Sequence, residues 1–294
     1  MEICTTVAEL RRALAPHWRA GADIGFVPSL GALHEGHLSL VRRARAQNAM
    51  VVFSIFLNPT QFGPSEDLAR YPRDPARDTA LVRREGVEIV FMPSVAEMYP
   101  PGFATRVEVG RPGEILEGAA RPGHFAGVAT VVAKLLILTR PTRAYFGQKD
   151  AQQLAVIRRM ARDLDLPVEI VGGPTVRELD GLALSSRNVY LSPDERRAAA
   201  VLYRALEAAR DRFLAGARDS ARLRGLMQEV VAAEPLARLE YAEVVDAETM
   251  ERRDLARPGA LLVIASRFGG TRLIDNLVLP GEPDAPEGPE QARA

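Results

Sequence analysis

The sequence predicts an α/β protein in which a doubly wound parallel sheet is followed by a smaller α+β domain. Over residues 1–175, short apolar runs alternate with amphipathic stretches, the order expected of parallel strands joined by right-handed helical crossovers. After Gly172-Gly173-Pro174, two Ala-rich stretches precede three strand-like runs. We therefore expect domains at 1–175 and 176–280, and a disordered Pro-, Glu- and Gly-rich tail at 281–294.

Apolar runs rich in β-branched and aromatic residues predict the strands of the parallel sheet. In chain order these runs are 24–27, 50–57, 87–92, 144–146 and 168–171. Ligands of doubly wound sheets bind at the carboxyl ends of the strands. The residues that follow Val27, Leu57, Phe146 and Val171 are therefore the first places to look for a site.

Stretches with helical spacing of apolar residues predict the helices that cover this sheet. They are 37–48, 75–85, 127–139 and 150–164. The Gly- and Pro-rich segment 95–127 is irregular and predicts an insertion with at most short strands. The second domain is expected to hold helices at 193–215 and 220–233 and an antiparallel sheet of strands at 239–245, 260–266 and 272–278.

Composition limits the classes of partner and the location of the protein. The 38 basic and 38 acidic side chains cancel, which argues against nucleic acid or an anionic membrane as a partner. Cys4 is the single cysteine, so neither a disulfide framework nor a cysteine-ligated metal site is expected within one chain. The start of the chain lacks the pattern of a signal peptide, and the apolar run 128–138 is too short to span a bilayer. We expect a cytoplasmic protein.

A pair of histidines marks the first candidate site. His34 and His37, separated by Glu35 and Gly36, open the helix that follows the first strand. Helix N-termini favour anions through their backbone N–H groups and dipole, and two imidazoles there can donate to phosphate oxygens. Zinc binding is the alternative, but no third ligand lies at a useful spacing. Surface or capping histidines are the structural alternative.

Three further loops carry polar residues suited to a nucleotide and a small polar substrate. Asn58 and Gln61 offer carboxamides just after a central strand. Lys149, one of only two lysines in the chain, opens a helix where its ammonium can face triphosphate oxygens, and Gln153 follows one turn later. Ser185, Ser186 and Arg187 can hold phosphate oxygens. The segment 121–125, Arg-Pro-Gly-His-Phe, is the weakest candidate, and neither a P-loop nor a Gly-x-Gly-x-x-Gly fingerprint is present.

Six ordered segments resemble the pantothenate synthetase family, within the His-x-Gly-His group of nucleotidyltransferases and class I aminoacyl-tRNA synthetases. They are VPSLGALHEGH at 27–37, NPTQF at 58–62, RPGHF at 121–125, YFGQKDAQQL at 145–154, LSSRN at 184–188 and TRLIDN at 271–276. The resemblance implies a Rossmann-like domain of the nucleotidyltransferase type, a smaller lid-like C-terminal domain and a homodimer.

The resemblance also implies the reaction. The pantoate carboxylate would attack the α-phosphorus of ATP to give pantoyl adenylate and pyrophosphate, and the β-alanine amine would then displace AMP to give pantothenate, a precursor of coenzyme A. Magnesium would be carried on the ATP phosphates, and no protein ligand for it is assigned.

Site residues are carried over from the family by position. The catalytic residues would be His34, His37 (the proton donor) and Lys149, while Gln61 and Gln153 would bind pantoate and Gln61 would also serve β-alanine. Asn58, from its carboxamide in the same loop as Gln61, is added as a substrate-binding residue. The ATP site would be lined by Leu30, Gly31, Ala32, Leu33, His34, Glu35, Gly36, His37, Gly147, Gln148, Lys149, Asp150, Val176, Leu184, Ser185, Ser186 and Arg187.

The chain departs from the family pattern at three places. Ser29-Leu30 replaces a common Thr-Met, Gln148 replaces a frequent glutamate, and Arg77 lies between Asp74 and Asp78 where some members are more acidic. Three alternative functions stay open at this point: a simple nucleotidyltransferase that keeps the adenylyl group on its product, a catalytically silent nucleotide-binding protein, and a protein that handles tRNA.

Overall fold

The computed structural model describes residues 1–64 and 66–281, which fall into two compact units. The first unit comprises Met1–Ser192 and Glu248–Met250, and the second comprises Pro193–Ala247 and the described part of Glu251–Ala294. The division thus falls after Ser192 rather than after residue 175. The reason is that residues 176–192 are bonded to the first unit, for example through Tyr190, which donates to the Arg70 carbonyl at 2.9 Å. The predicted tail lies, apart from Gly281, outside the described residues, and the predicted lid role of the second unit stays a prediction.

The described residues of the first unit form a six-stranded parallel sheet. Its strands are β1 (Glu2–Cys4), β2 (Ile24–Ser29), β3 (Met50–Ile55), β4 (Ile89–Phe91), β5 (Arg143–Gly147) and β6 (Glu169–Gly173). The order across the sheet is β1-β4-β3-β2-β5-β6. The chain therefore reverses its direction of winding between β2 and β5, and the crevice at that point of such a sheet is where ligands bind.

Helices cover both faces of this sheet. The helices of the first unit are α1 (Val7–Arg19), α2 (Glu35–Gln47), α3 (Pro75–Arg84), α4 (Val95–Met98), α5 (Gly110–Glu114), α6 (Glu117–Ala120), α7 (His124–Thr139) and α8 (Ala151–Asp163). Leu10, Val132 and Ile157 from α1, α7 and α8 belong to the core of one face. Val41 and Val82 from α2 and α3 belong to the core of the other. Burial of both faces explains why β2 and β3 are almost continuously apolar.

The second unit is α+β. It contains α9 (Pro193–Ala198), α10 (Val201–Leu214) and α11 (Ser220–Ala232), followed by β7 (Ala237–Val245), β8 (Leu261–Phe268) and β9 (Thr271–Val278). The three strands form an antiparallel sheet in chain order, and α10 and α11 pack on it. The predicted fold class is confirmed for both parts of the chain.

Three features of the first unit differ from the sequence prediction. The edge strand β1 has three residues, too few to show a hydrophobic period. Helix α1 contains Pro16, a residue that ordinarily ends a helix. Its capping box, in which Thr6 accepts from the Glu9 N–H, is the signal that marks this helix. The segment 95–127 was expected to hold at most short strands, but it forms the short helices α4, α5 and α6 instead.

Within the described residues, no helix combines the length and the apolar character needed to cross a membrane.

Candidate active site

The turn after β2 is held by a buried carboxylate from α3. Asp78 accepts the backbone N–H of Ala32 at 2.8 Å with Oδ2 and that of Leu33 at 2.9 Å with Oδ1. Arg77 donates to the Leu33 carbonyl at 3.0 Å. Because both oxygens of the Asp78 carboxylate are bonded to the turn, this residue shapes the entry into α2.

His34 and His37 together form a capping box at the start of α2. His34 Nδ1 accepts from the Gly36 N–H at 3.2 Å, and His37 Nδ1 accepts from the His34 N–H at 3.3 Å. A ring nitrogen that accepts from an N–H carries no proton, so the neutral ring of each histidine carries its proton on Nε2. The ring centroids lie 4.2 Å apart and both rings line the same cavity. The cap thus leaves two adjacent Nε2–H donors for a ligand.

The glycine between the two histidines is required by the position of the first ring. A Cβ on Gly36 would lie 2.9 Å from Cε1 of His34, closer than carbon atoms pack without displacement. A side chain at this position would push the His34 ring away from the N–H groups it caps. The motif His-x-Gly-His therefore needs its glycine, because only a residue without a side chain leaves room for the His34 ring beside His37.

Both imidazoles are neutral over the ordinary pH range. Burial, followed by the charge of Lys149, lowers the pKa of His34 to about 4. Burial, followed by the neighbouring His34, lowers the pKa of His37 to about 3. Desolvation disfavours the charged imidazolium. Before a ligand binds, the two rings therefore act as hydrogen-bond donors.

Lys149 supplies positive charge at the end of β5. It lies in a single 3-10 turn, Gln148–Asp150, between β5 and α8. Its side chain is 19% exposed, and its Nζ lies 3.6 Å from the Asp150 carboxylate. Lys149, Asp150 and, one turn on, Gln153 all line the cavity that the two histidines line.

Gln61 is held from two sides by hydrogen bonds. It lies in the 3-10 turn Pro59–Gln61 and is 6% exposed. Its Oε1 accepts from Asn58 Nδ2 at 3.1 Å, and its backbone carbonyl accepts from His124 Nδ1 at 2.8 Å. With Oε1 taken by Asn58, the Nε2 amino group of Gln61 is the part of the carboxamide that remains for a ligand.

Asn58 itself does not line the cavity. It is fully buried, and its carboxamide is bonded to Gln61, to the Gly127 carbonyl at 3.2 Å and to Thr60. Asn58 is thus bonded to Gln61 behind the cavity wall, and its predicted contact with substrate stays a prediction.

Arg187 and Ser186 are held beside the cavity by the segment that follows Gln61. Arg187 makes a two-pronged ion pair with Asp67, with both N···O distances 2.9 Å. The Ser186 hydroxyl lies 2.9 Å from that of Tyr71, whose side chain is buried. Desolvation acts to lower the pKa of the Arg187 guanidinium, but the bond to Asp67 outweighs it and raises that pKa. Arg187 therefore keeps its charge next to the cavity.

A further pair of residues, Arg121 and His124, lies at the cavity wall. Arg121 is paired with Glu66 at 2.5 Å and its NH1 lies 3.0 Å from His124 Nε2. Because His124 Nδ1 donates to the Gln61 carbonyl, its Nε2 accepts from Arg121, and burial lowers the pKa of this imidazole to about 4. Arg121 and His124 belong to the segment that the sequence ranked as its weakest candidate.

Most of the predicted residues meet at one cavity of about 220 Å³, and every residue that lines it belongs to the first unit. The predicted residues that line it are Leu30, His34, Gly36, His37, Gln61, Gly147, Lys149, Asp150, Gln153, Val176, Leu184, Ser185, Ser186 and Arg187. The predicted residues outside its lining are Gly31, Ala32, Leu33, Glu35, Asn58 and Gln148.

Local contacts explain why Gly31, Ala32, Leu33 and Glu35 fall outside the lining. Gly31, Ala32 and Leu33 form the turn that Asp78 holds, and Leu33 is buried in the core. Glu35 is exposed and is paired with Arg42.

Sequence reasoning missed an apolar wall of the cavity. Val128, Val131, Val132 and Leu135, together with Phe62, line it. The four aliphatic residues project from α7, where they are indistinguishable by periodicity from residues of a buried helix core. Among the described residues, no group of three or more His, Cys, Asp or Glu side chains is arranged to hold a metal ion.

Comparisons of the sequence and the fold with known proteins identify relatives of this chain. The model of the family described as Pantoate-beta-alanine ligase matches residues 2–278. A pantothenate synthetase of Roseiflexus sp. (strain RS-1) is 61% identical over 279 residues, 95% of this chain and 99% of the relative. The crystal structure of pantothenate synthetase from Thermus thermophilus superposes with a TM-score of 0.91 at 54% identity, covering 95% of this chain and 100% of that one.

A second solved structure carries ligands. It is a pantoate–β-alanine ligase from Francisella tularensis complexed with beta-gamma ATP and β-alanine, with a TM-score of 0.77, 32% identity, and coverage of 95% of this chain and 97% of that one.

Proposed function

The chain belongs to the pantoate–β-alanine ligase family, and from this membership we propose which of its residues carry out each part of the reaction. The enzyme joins pantoate and β-alanine through an amide bond at the expense of ATP, and the pantoyl adenylate intermediate follows from the family. This activity excludes the simple nucleotidyltransferase, the silent binder and the tRNA-handling protein that the sequence alone left open.

In the first step, a pantoate carboxylate oxygen attacks the α-phosphorus and the bond to pyrophosphate breaks. We assign stabilisation of the charge on the α-phosphate to His34 and His37, each through Nε2–H. Their burial and lowered pKa make each ring a fixed donor that needs no reorientation during the step. His37, the predicted proton donor, thus donates a hydrogen bond and does not start the step as an imidazolium.

The remaining phosphates need cations and hydroxyl donors. We assign these roles to Lys149 and Arg187, with Ser185 and Ser186 beside them, because all four line the cavity with the two histidines. An ammonium at Lys149 offsets the charge of the departing pyrophosphate. Arg187 has a planar fork suited to two phosphate oxygens, and its ion pair with Asp67 holds the guanidinium beside the cavity.

Pantoate binding is assigned to Gln61 and Gln153. The Gln61 amino group is a donor, so it matches a hydroxyl or carboxylate oxygen of pantoate. The apolar wall of α7, including Val131 and Val132, matches the branched carbon skeleton between these polar groups. In the second step, the β-alanine amine attacks the acyl carbonyl, loses a proton and displaces AMP, and Gln61 is placed to serve this substrate too.

Magnesium is proposed to bind with ATP. Asp150 is the one carboxylate among the described residues that line the cavity. Mg²⁺ in nucleotide sites is commonly held by one or two carboxylates and the substrate phosphates, so this donor set fits a magnesium ion that is carried mainly by ATP. The ion would neutralise part of the phosphate charge.

The observation that carries the assignment is the capping box whose two Nδ1 atoms face the helix and leave Nε2–H of His34 and His37 for the cavity. It is tested by separating the two half-reactions in His34→Asn, because asparagine keeps a cap acceptor for the helix but removes the ring donor. We expect pantoate-dependent exchange of pyrophosphate into ATP to fall about a hundredfold. Aminolysis of pantoyl adenylate supplied ready-made should be much less affected. Equal slowing of both half-reactions, or of neither, would contradict the assignment.

We also propose that the enzyme acts as a homodimer in the cytoplasm. The dimer is expected from the family. The cytoplasmic location fits the single cysteine of the chain, Cys4, which is buried and forms no disulfide. Light scattering coupled to gel filtration tests the dimer, and a mass of one chain would contradict it.

A further inference from the structure

The contact between Gln61 and Asn58 leads to a residue outside the cavity, Tyr99. The inference rests on the proposed function, because it takes Gln61 as a residue that binds pantoate. Binding through the amino group requires that the carboxamide keep one of its two possible orientations, which differ by a half-turn that exchanges Oε1 and Nε2. The structure shows which neighbours determine that orientation.

The orientation of Asn58 is determined by two groups whose hydrogen-bonding sense is unambiguous. The backbone N–H of Thr60 can only donate, and it points at Asn58 Oδ1 from 3.3 Å. The backbone carbonyl of Gly127 can only accept, and it lies 3.2 Å from Asn58 Nδ2. Asn58 therefore presents Nδ2 to Gln61, and the Gln61 atom that faces it must be Oε1.

Tyr99 makes the shortest of the contacts to Asn58. Its hydroxyl donates to Asn58 Oδ1 at 2.7 Å, whereas the Thr60 hydroxyl does so at 2.9 Å and the Thr60 N–H at 3.3 Å. Tyr99 follows α4 directly and does not line the cavity. Its hydroxyl contacts Asn58 and, at 3.4 Å, the Thr60 hydroxyl, so it can influence bound substrate only through the turn that carries Gln61.

The ring of Tyr99 is fixed by its own contacts. The Phe103 and Phe56 ring centroids lie 5.1 Å and 6.0 Å from it. Lys134, the other lysine of the chain besides Lys149, lies on α7 and donates to the Met98 carbonyl. The same ammonium lies 5.6 Å from the centre of the Tyr99 ring and 4.5 Å from that of Phe103. A lysine on α7 thus ties down the segment that carries Tyr99.

We propose that Tyr99 is a positioning residue for pantoate: its hydroxyl holds Asn58, and Asn58 holds the Gln61 carboxamide with its amino group toward the substrate. Lys134 anchors the Tyr99 segment through its hydrogen bond to the Met98 carbonyl and its position over the Tyr99 ring. The chain of contacts runs from Lys134 through Tyr99 and Asn58 to Gln61.

The test is a double-mutant cycle with Tyr99→Phe and Gln61→Ala, read as the KM for pantoate and the KM for ATP. Phenylalanine removes the hydroxyl and keeps the ring and its contacts. Loss of one neutral buried hydrogen bond corresponds to about a three- to tenfold effect. We expect Tyr99→Phe to raise the pantoate KM by about this factor and to leave the ATP KM and the Tm close to those of the parent. In the Gln61→Ala background, the same change should leave the pantoate KM unaltered.

Tyr145→Phe is the matched control. Tyr145 is fully buried, and its hydroxyl accepts from Asn48 at 2.7 Å and donates to Gln47 at 2.9 Å, but it does not line the cavity. Removal of this hydroxyl deletes comparable hydrogen bonds and should leave the pantoate KM unchanged.

The outcomes separate the inference from the function on which it rests. An unchanged pantoate KM in Tyr99→Phe, or an equal rise in the parent and Gln61→Ala backgrounds, would overturn the positioning role while leaving the assignment of Gln61 intact. A pantoate KM that does not respond to Gln61→Ala would instead refute the assignment of Gln61 itself, and the inference with it.

Discussion

His34 and His37 each cap the helix with Nδ1, and the proposed mechanism assigns the contact with the ligand to Nε2 of each ring. Their Nδ1 atoms satisfy two of the N–H groups that every helix leaves unpaired at its start. The need to cap the helix thereby sets the tautomer, and the tautomer sets which nitrogen can donate to a phosphate. The capping geometry and the proposed chemical role of each histidine therefore depend on the same tautomer.

The two roles of His37 can be separated by substitution. Glutamine at this third helical position can replace the cap acceptor, whereas alanine cannot. We expect both His37→Gln and His37→Ala to lose roughly two to three orders of magnitude in turnover, because both lack the Nε2–H donor. His37→Gln should retain the Tm of the parent, and His37→Ala should have a lower one. Steady-state kinetics and thermal melts check this, and full activity in either variant would remove His37 from the mechanism.

Substitution of Lys149 by arginine tests whether turnover requires the compact ammonium group or only a positive charge. Its Nζ lies in a confined position beside Asp150, with the side chain 19% exposed. Arginine is larger and presents a planar fork, so Lys149→Arg should turn over at least about tenfold more slowly than the parent. An equal kcat/KM for ATP would show that the lysine is interchangeable with arginine.

At the level of secondary-structure elements, the close approach of α7 to the turn Pro59–Gln61 shapes the side of the cavity to which we assign pantoate. A Cβ on Gly127 would lie 2.4 Å from the Thr60 carbonyl oxygen and 2.7 Å from the Gln61 nitrogen. These atoms are backbone, so the contact cannot be relieved by a rotamer change. The glycine is therefore what allows α7 to supply both the apolar wall and the carbonyl that orients Asn58.

Gly127→Ala should displace the turn that carries Gln61. We expect a lower Tm and a pantoate KM raised by at least about tenfold, since small misplacements of binding groups are costly. Gly225→Ala is the control, because Gly225 lies within α11 and a Cβ added to it would meet open space. Alanine there should raise the Tm slightly. A Gly127→Ala enzyme with parental pantoate KM would show that the turn tolerates the side chain.

The sequence predicts regular elements and local motifs well but not the contacts between distant segments. The strands β2 to β6 and the helices α2, α3, α7 and α8 follow from apolar periodicity. The histidine pair follows from its position after the first predicted strand. By contrast, the bond from Tyr99 to Asn58 joins two loops, and the wall of α7 looks like any helix core. A local pattern does not show which of two nearby carboxamides lines a cavity, so the sequence could not tell that Gln61 lies at the cavity and Asn58 behind it.

At the scale of the whole molecule, the neutral histidines make stability depend on pH. His34, His37 and His124 have pKa values lowered to about 4, 3 and 4, below the value of about 6.5 for an exposed imidazole. At a pH between the lowered pKa values and about 6.5, the histidines bind protons in the unfolded chain but not in the folded chain. The free energy of unfolding therefore decreases as the pH falls through this range. Carboxylates with lowered pKa, such as Asp67, contribute mainly below about pH 5, so the histidines dominate the upper part of this range.

We therefore expect the Tm of the ligand-free protein to fall as the pH is lowered from about 6.5 to 4.5. The slope should be shallower in His37→Gln, which removes one of the three groups. Thermal melts at constant ionic strength give both slopes. A Tm that is constant across this window, or the same slope in parent and variant, would contradict the lowered pKa values.

Two-step ligation is best tested by measuring the release of pyrophosphate and AMP from ATP with pantoate alone, with β-alanine alone, and with both. We predict pyrophosphate with pantoate alone, AMP only when β-alanine is also present, and neither product with β-alanine alone. Release of AMP without β-alanine, or no release under any condition from folded protein that binds ATP, would contradict a two-step ligation through an adenylate.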